Sequence, residues 1–195
     1  MNEEHSALDE LVVRIVHPSD SLAAPLLADL EREYDARYGI EVLGEPAAAE
    51  LNRYPNEAFV APNGTFLVLL AGGEVLSGGA FKRYDERTAE FKRIWTRADV
   101  RGRGLAKRVL AALENEASAL GYERVYLTTG PRQPEAVALY LGTGYEPQFD
   151  TARPAAEVGL HAFTKHLVPV HRRTGDPGRT FDRDGAPVLT KEKAL

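Results

Sequence analysis

Three consecutive strands joined by tight turns constrain the fold of this chain more than any other feature. The segments TFLVLL, VLSGGAFKRY and AEFKRIWT are rich in β-branched and aromatic residues, and the short turns AGGE and DERT separate them. Short turns connect antiparallel neighbours, whereas parallel strands need a longer crossover. The stretch from Thr65 to Thr96 therefore predicts an antiparallel meander within a sheet.

Helical and strand patterns on both sides of the meander indicate an α+β fold. Before it, VVRIV predicts a strand, apolar residues spaced by four predict a helix over 22–38, and a short helix is expected over 46–53. After it, an apolar face predicts a helix over 105–120, RVYLTT predicts a strand, and Pro134 opens a last helix. GYEPQFD and EVGLHAFTKHL predict a final strand pair. The expected order is β-αα-βββ-α-β-α-ββ, a mixed, mainly antiparallel sheet of about six or seven strands flanked by about four helices.

The length of 195 residues fits one compact domain with an appendage. We expect a single domain over residues 1–167 and a C-terminal arm over 168–195, where prolines and glycines are scattered among charges. The arm is expected to fold against its own domain or a neighbouring subunit, which leaves a homodimer open. The acidic N-terminus lacks an export pattern, and no apolar run reaches the roughly 18 residues of a membrane span. We therefore expect a cytoplasmic protein with no membrane partner.

Charge and cysteine content narrow the function classes. The net charge of −5 argues against nucleic acid as a partner. Charge is uneven, because eight acidic residues face three arginines between Asp29 and Glu57, whereas seven cationic residues face one aspartate between Lys92 and Arg108. The absence of cysteine excludes a disulfide, a thiolate metal site and a cysteine nucleophile. The histidines show no metal-ligand spacing, so no metal is expected.

The basic stretch contains DVRGRGLAKRVL, a glycine-containing turn between a strand and a helix. Such a turn can hold phosphate, because glycines let backbone N–H groups approach and a helix N-terminus adds partial positive charge. Arg101, Arg103, Lys107 and Arg108 would add charge-assisted hydrogen bonds. These residues alone fit a solvated basic turn equally well. A Walker A loop is excluded because Gly-Lys-Ser/Thr is absent, and a Rossmann fingerprint fails because Lys107 stands in place of its third glycine.

The pattern R-x-x-G-x-A from Arg101 to Ala106 resembles motif A, Q/R-x-x-G-x-G/A, of the GCN5-related N-acetyltransferase (GNAT) superfamily. The later block QPEAVALYLGTGY is similar to the N-x-x-A-x-x-L-Y-x-x-x-G-F/Y of that family. The residues of this chain that match the motif positions are Gln133, Ala136, Leu139, Tyr140, Gly144 and Tyr145. Gln133 stands where the family usually has asparagine. The motifs run from Thr88 to Tyr145, and the element order agrees from about Val12 to Leu167. The resemblance implies a GNAT-like fold and an acyl-CoA-dependent N-acetyltransferase.

The resemblance further implies acetyl-CoA as the cosubstrate. In the family, backbone amides of the motif A turn hold the pyrophosphate, and the end of the fourth strand pairs with the pantetheine arm. The matching positions in this chain are Trp95, Thr96, Arg101, Gly102, Arg103, Gly104, Leu105, Ala106 and Lys107, with Gln133 as a further cofactor contact. Thr96 and Ala98 replace the usual valine and proline. Trp95 fits a shield over the site or a core aromatic.

The chemistry of acetyl transfer suggests two catalytic residues. An alkylamine with a pKa of about 10.4 needs a base before it can attack a thioester. Glu90 stands eleven residues before Arg101, the offset at which the histone acetyltransferase branch carries its catalytic glutamate in an Ala-Glu pair. A solvated strand residue paired with Lys92 or Arg93 is the alternative. Tyr140 matches the family tyrosine that protonates the leaving thiolate, and it also fits a core aromatic.

Three functions fit these residues, and the first is an enzyme that acetylates a small amine. Without cysteine, we expect direct attack of the amine on acetyl-CoA in a ternary complex, with strand backbone N–H groups polarising the thioester carbonyl. The resemblance places the acceptor pocket over the acidic stretch between Asp29 and Glu57, so a small cationic amine is the expected acceptor, although a merely solvated acidic face fits as well. The other readings are a protein or peptide N-acetyltransferase and a noncatalytic acyl-CoA sensor. The presence of both Glu90 and Tyr140 counts against the sensor.

Overall fold

The computed structural model describes residues 11–40 and 44–169, and the backbone of 180–181 and 187–188. Its strands are β1 (Val12–Ile15), β2 (Thr65–Ala71), β3 (Glu74–Arg83), β4 (Thr88–Thr96), β5 (Arg124–Thr129), β6 (Glu146–Pro147), β7 (His161–His166), β8 (Thr180–Phe181) and β9 (Pro187–Val188). Its α-helices are α1 (Ala24–Arg37), α2 (Ala47–Leu51), α3 (Leu105–Ala119), α4 (Pro134–Gly142) and α5 (Ala155–Val158). No helix among these residues is long and apolar enough to cross a membrane.

Seven strands form one sheet in the order β1-β2-β3-β4-β5-β7-β6. All neighbours are antiparallel except β4 and β5, which are parallel because the chain crosses over through α3 between them. The predicted α+β fold, with its central meander and mainly antiparallel sheet, is confirmed. The final strand pair is less regular than predicted, since β6 has only two residues and the short helix α5 precedes β7.

Helices cover both faces of the sheet and create two separate cores. On one face, α3 and α4 pack over buried side chains that include Phe81, Phe91 and Phe163. On the other face, α1 and α2 pack over a second group that includes Phe66 and Trp95. Because α3 follows β4 and α4 follows β5, the turns at the ends of these two strands lie side by side.

A β-bulge bends β4 where it passes β5. One extra residue of β4 lies between Lys92 and Trp95, and Arg93 adopts a left-handed φ of 61°. The pairing of β4 with β5 stops at Phe91 opposite Leu127, so among the described residues no strand pairs with the following β4 backbone on that side. Burial lowers the pKa of Arg93, whose guanidinium lies 4.0 Å from the Phe59 ring centroid. The bulge therefore opens a gap between two parallel strands.

The C-terminal arm expected over residues 168–195 lies largely outside the described residues. Its start is attached to the domain, because Ser118 Oγ donates to the carbonyl oxygen of Val168 at 3.1 Å. Further along, β8 and β9 form a two-stranded antiparallel pair, and β8 lies beside β1. The division into a domain over 1–167 and an arm stays a prediction.

Close packing at Gly79 of β3 sets the position of α3. A Cβ there would lie 2.8 Å from Ile94 Cδ1, 3.0 Å from Leu113 Cδ1 and 3.1 Å from Val109 Cγ1. We expect Gly79→Ala to lower the free energy of unfolding by about 1–2 kcal/mol through overpacking, as measured by urea denaturation. Gly142→Ala is the control, because a Cβ at that position of α4 meets nothing within 4 Å. Equal effects of the two substitutions would contradict the packing argument.

Candidate active site

The gap between β4 and β5 opens into a cavity of about 440 Å³. Its walls come from α1, the end of β4, the turn that leads into α3, and α4. Most residues predicted to contact the cofactor line it, together with one predicted catalytic residue: Trp95, Thr96, Arg101, Gly102, Gly104, Leu105, Ala106, Lys107, Gln133 and Tyr140. Arg103 and Glu90 lie outside this lining. The cavity is also lined by Glu33, which the sequence placed in the expected acceptor pocket. Further lining residues, which the sequence did not single out as site residues, are Leu30, Ile94, Glu135, Ala136 and Leu139.

The turn between β4 and α3 has the geometry of an anion site. Gly102 and Gly104 have φ values of 78° and 79°, which favour glycine, and a Cβ at either would meet nothing within 4 Å. Gly104 precedes the first turn of α3, and no side chain in the described part of the chain caps that helix. The N–H groups of the first turn therefore have no side-chain acceptor among the described residues, and Leu105, Ala106 and Lys107 of that turn line the cavity. This open backbone fits the pyrophosphate of an acyl-CoA.

The cations around this turn differ in their partners. Lys107 lines the cavity and, like the exposed Arg103, forms no hydrogen bond or ion pair within the described part of the chain. Arg101 is already engaged: its Nη2 lies 2.8 Å from Glu33 Oε2, and its Nε donates to the Thr96 carbonyl oxygen at 3.0 Å. The sequence predicted a phosphate contact for Arg101 and gave no sign of either partner.

Trp95 reaches the cavity from the core rather than as an exposed shield. Its residue is 3% exposed, its side chain belongs to the core beneath α1, and its Nε1 donates to Asp29 Oδ2 at 3.2 Å. Its carbonyl oxygen accepts a hydrogen bond from Ser77 Oγ at 2.5 Å. The core-aromatic alternative therefore describes the side chain.

Gln133 organises the turn between β5 and α4. Its Oε1 accepts hydrogen bonds from Thr129 Oγ1 at 2.9 Å, Gly130 N at 3.1 Å and Tyr38 OH at 3.3 Å. Its side-chain amide nitrogen forms no hydrogen bond with another described residue. Gln133 thus shapes the cavity through its oxygen and has an amide donor left for a ligand.

Tyr140 combines the two interpretations that the sequence left open. The residue is 6% exposed, and its ring packs 5.7 Å from Tyr145 and 5.4 Å from Phe163, measured between ring centroids. Its hydroxyl forms no hydrogen bond within residues 11–40 or 44–169, although the residue lines the cavity. Burial raises the pKa of Tyr140 well above the usual value for a phenol. The hydroxyl therefore keeps its proton at neutral pH and can donate it into the cavity.

Glu90 lies on the sheet face covered by α1 and α2, beside the gap. It is opposite Tyr126 of β5, one residue before the parallel pairing ends. Its carboxylate is 2.7 Å from Lys82 Nζ and 3.1 Å from Lys92 Nζ, and its side chain is only 10% exposed. Of the partners named from the sequence, Lys92 is present. Lys82, on the neighbouring strand β3, was missed, and Glu90 is not a solvated strand residue.

The acidic stretch between Asp29 and Glu57 is already partly neutralised. Glu33 pairs with Arg37 and Arg101, and Glu45 and Glu50 both pair with Arg53. Other carboxylates of the stretch are less constrained, since Asp35 accepts one backbone hydrogen bond and Glu31 is exposed, while Glu41 lies outside the described residues. In the part of the chain that the structure describes, no group of three or more acidic or histidine side chains could hold a metal ion.

The split strands, the glycine turn and the cavity between them define an acyl-CoA-dependent N-acyltransferase, and comparisons agree. Residues 26–145 match the model of the acetyltransferase (GNAT) family, and the chain belongs to that family. The uncharacterized N-acetyltransferase YjgM of Escherichia coli strain K12 is 28% identical over 130 residues, which cover 63% of this chain and 75% of that protein.

Solved structures with the same fold include two informative neighbours. A proposed acyl-CoA N-acyltransferase from Klebsiella pneumoniae aligns with a TM-score of 0.62 at 24% identity, covering 81% of this chain and 98% of that one. Spermidine N-acetyltransferase from Vibrio cholerae, in complex with CoA and spermine, aligns with a TM-score of 0.56 at 18% identity, covering 81% of this chain and 96% of that one. At these identities the likeness concerns the fold.

Proposed function

We propose that this N-acetyltransferase moves the acetyl group of acetyl-CoA directly to a primary amine. The observation that carries the proposal is the continuous path along the cavity, from the unpaired edge of β4 to the glycine turn and the uncapped start of α3. An extended pantetheine arm can pair with a free strand edge, while a pyrophosphate accepts hydrogen bonds from the turn and from Lys107. Acetyl-CoA bound there supplies the thioester.

Two residues of this chain would move the protons. The carboxylate of Glu90 takes a proton from the ammonium of the acceptor, and the nitrogen lone pair then attacks the thioester carbonyl carbon. The C–S bond breaks as the amide forms, and the Tyr140 hydroxyl gives its proton to the departing sulfur. The nitrogen releases its second proton as it becomes an amide, and that proton restores the Tyr140 hydroxyl. Because the chain has no cysteine, no thiol can form an acyl-enzyme, which favours direct transfer.

Two lysines hold the carboxylate of Glu90 in place. Burial of an unpaired carboxylate is costly, and the ammonium groups of Lys82 and Lys92 offset that cost while fixing the carboxylate beside the gap. Lys82 is itself fixed, with Nζ 4.3 Å from the centroid of the Tyr54 ring. Glu90 therefore stays beside the gap, on the sheet face covered by α1 and α2, from which an acceptor would approach.

The acceptor is proposed to be a small cationic amine. Eight acidic residues and three arginines lie between Asp29 and Glu57, so negative charge remains after those arginines are paired. The spermine complex of the Vibrio cholerae enzyme is an example of this ligand class on the same fold. A field of this sign attracts cations from solution and weakens as salt screens it.

Release of CoA thiol from acetyl-CoA across a panel of amines tests this function. The panel contains a diamine, spermidine, a monoamine of equal length and a lysine-containing peptide. We expect the polyamines to give the highest kcat/KM, and their KM to rise severalfold between low and 0.5 M salt, because the Debye length then falls below about 10 Å. A KM independent of salt would contradict the proposal that the acidic stretch attracts the acceptor. A preference for the peptide would favour a protein or peptide N-acetyltransferase.

A further inference from the structure

The guanidinium of Arg101 holds two parts of the phosphate-binding turn together. Its Nε donates to the carbonyl oxygen of Thr96, the last residue of β4, at 3.0 Å. Arg101 itself directly follows the short 3-10 turn Ala98–Val100 and directly precedes Gly102. The hydrogen bond therefore closes a loop of residues 96–101, and it fixes the point at which the glycine-containing backbone begins.

Glu33 of α1 holds the same guanidinium from the other side. Its Oε2 lies 2.8 Å from Arg101 Nη2, and its Oε1 lies 2.7 Å from Arg37 Nη2. Arg37 in turn donates through Nη1 to the Arg132 carbonyl oxygen at 2.5 Å and pairs with Glu135 of α4. Glu33 is thus fixed by α1 and by the turn that follows β5, and its side chain is only 20% exposed.

Two interpretations of this pair predict opposite effects. If Arg101 were a direct phosphate ligand, Glu33 would compete with the phosphate, and removing Glu33 would strengthen CoA binding. If Arg101 instead shapes the turn, Glu33 is needed to hold it, and removing Glu33 would weaken CoA binding. Lys107 has no such partner among the described residues and lines the cavity, so it is available as the direct phosphate cation.

We propose that Glu33 and Arg101 act together as a brace that positions the phosphate-binding turn, with Arg101 a positioning residue rather than a phosphate ligand. The proposal rests on the proposed function in that acyl-CoA is the ligand of the turn. A guanidinium suits this task because its planar fork donates in two fixed directions at once. A lysine at the same place would keep the charge but could not reproduce both bonds.

Calorimetric titration with CoA of Glu33→Gln, Arg101→Gln, Arg101→Lys and the double variant Glu33→Gln/Arg101→Gln tests the brace. We expect each single variant to bind CoA on the order of threefold to tenfold more weakly, and the double variant to bind no more weakly than the weaker single variant. Lys107→Gln is the matched control for a direct contact, and its loss of affinity should shrink as salt is raised. Tighter binding by Glu33→Gln, near-normal binding by Arg101→Lys, or additive losses would overturn the proposal.

Hydrogen–deuterium exchange of the ligand-free proteins provides a readout that does not depend on CoA. The brace predicts faster exchange in residues 97–104 of Glu33→Gln and Arg101→Lys, with unchanged exchange in β2 and β3. Unchanged exchange in residues 97–104 would overturn the brace. If the unmodified protein failed to bind CoA, the proposed function would fail, and the exchange data would still decide whether the brace exists.

Discussion

Replacing Glu90 with glutamine is expected to lower kcat by about 10²-fold to 10⁴-fold, because the amide cannot accept the ammonium proton. The affinity for CoA should stay within about twofold, since Glu90 lies outside the lining of the cofactor cavity. Glutamine has nearly the same shape as glutamate and can still accept a hydrogen bond from Lys82 or Lys92. Steady-state thiol release gives kcat, and calorimetry gives the CoA affinity.

Glu123→Gln is the matched control for that substitution. Glu123 is exposed and pairs with Arg87 on the surface, and the same change of carboxylate to amide there should leave kcat within about twofold. A kcat within threefold of the unmodified protein for Glu90→Gln, with an unchanged thermal unfolding midpoint, would contradict the assignment of Glu90 as base. The role of Glu90 would then be limited to its ion pairs with Lys82 and Lys92.

Tyr140→Phe is expected to lower kcat by about 10²-fold while keeping CoA affinity, because it removes only the proton donated to sulfur. The ring keeps its contacts with Tyr145 and Phe163, so we expect the free energy of unfolding to fall by less than about 1 kcal/mol. Burial raises the pKa of Tyr140 above its usual value of about 10, so the donor stays protonated as pH rises to that point. The kcat of the unmodified enzyme should therefore show no decrease from deprotonation of Tyr140 between about pH 6 and pH 10.

Tyr122→Phe separates the loss of a hydroxyl from the loss of an acid. Tyr122 is buried, and its hydroxyl donates to the Asn63 carbonyl oxygen at 2.8 Å, away from the cavity lining. Its substitution should cost about 1 kcal/mol of stability and leave kcat within about twofold. If both tyrosine variants reduced kcat equally, the effect of Tyr140→Phe would be structural.

Local patterns predicted the fold well where neighbouring residues decide it. Segments rich in β-branched and aromatic residues, separated by short turns, predicted the meander β2 to β4, and helical periodicity predicted α1 and α3. The bulge at Arg93 was not predicted, because a bulge depends on how two strands register and not on either strand alone. The shortness of β6 likewise follows from its limited pairing with β7.

The site shows the same division between local and long-range information. The turn from Arg101 to Lys107 is continuous in sequence, so its glycines and its helix start could be identified together. The partners of its side chains come from elsewhere: Glu33 lies on α1, and Lys82 meets Glu90 only through the pairing of β3 with β4. A single sequence does not show which face of a helix meets which loop, and therefore Glu33 was interpreted as part of an acceptor field.

Direct transfer of acetyl from acetyl-CoA to an amine can be followed through the fate of a labelled acetyl group in a single turnover. Enzyme in excess is mixed with acetyl-CoA labelled in the acetyl group, with and without spermidine, and the protein and small molecules are resolved by mass. For direct transfer we expect labelled N-acetyl product and free CoA thiol in equal amounts, only when the amine is present, with no label on the protein. Label on the protein before amine is added, or bound acetyl-CoA that no amine or peptide consumes, would contradict it.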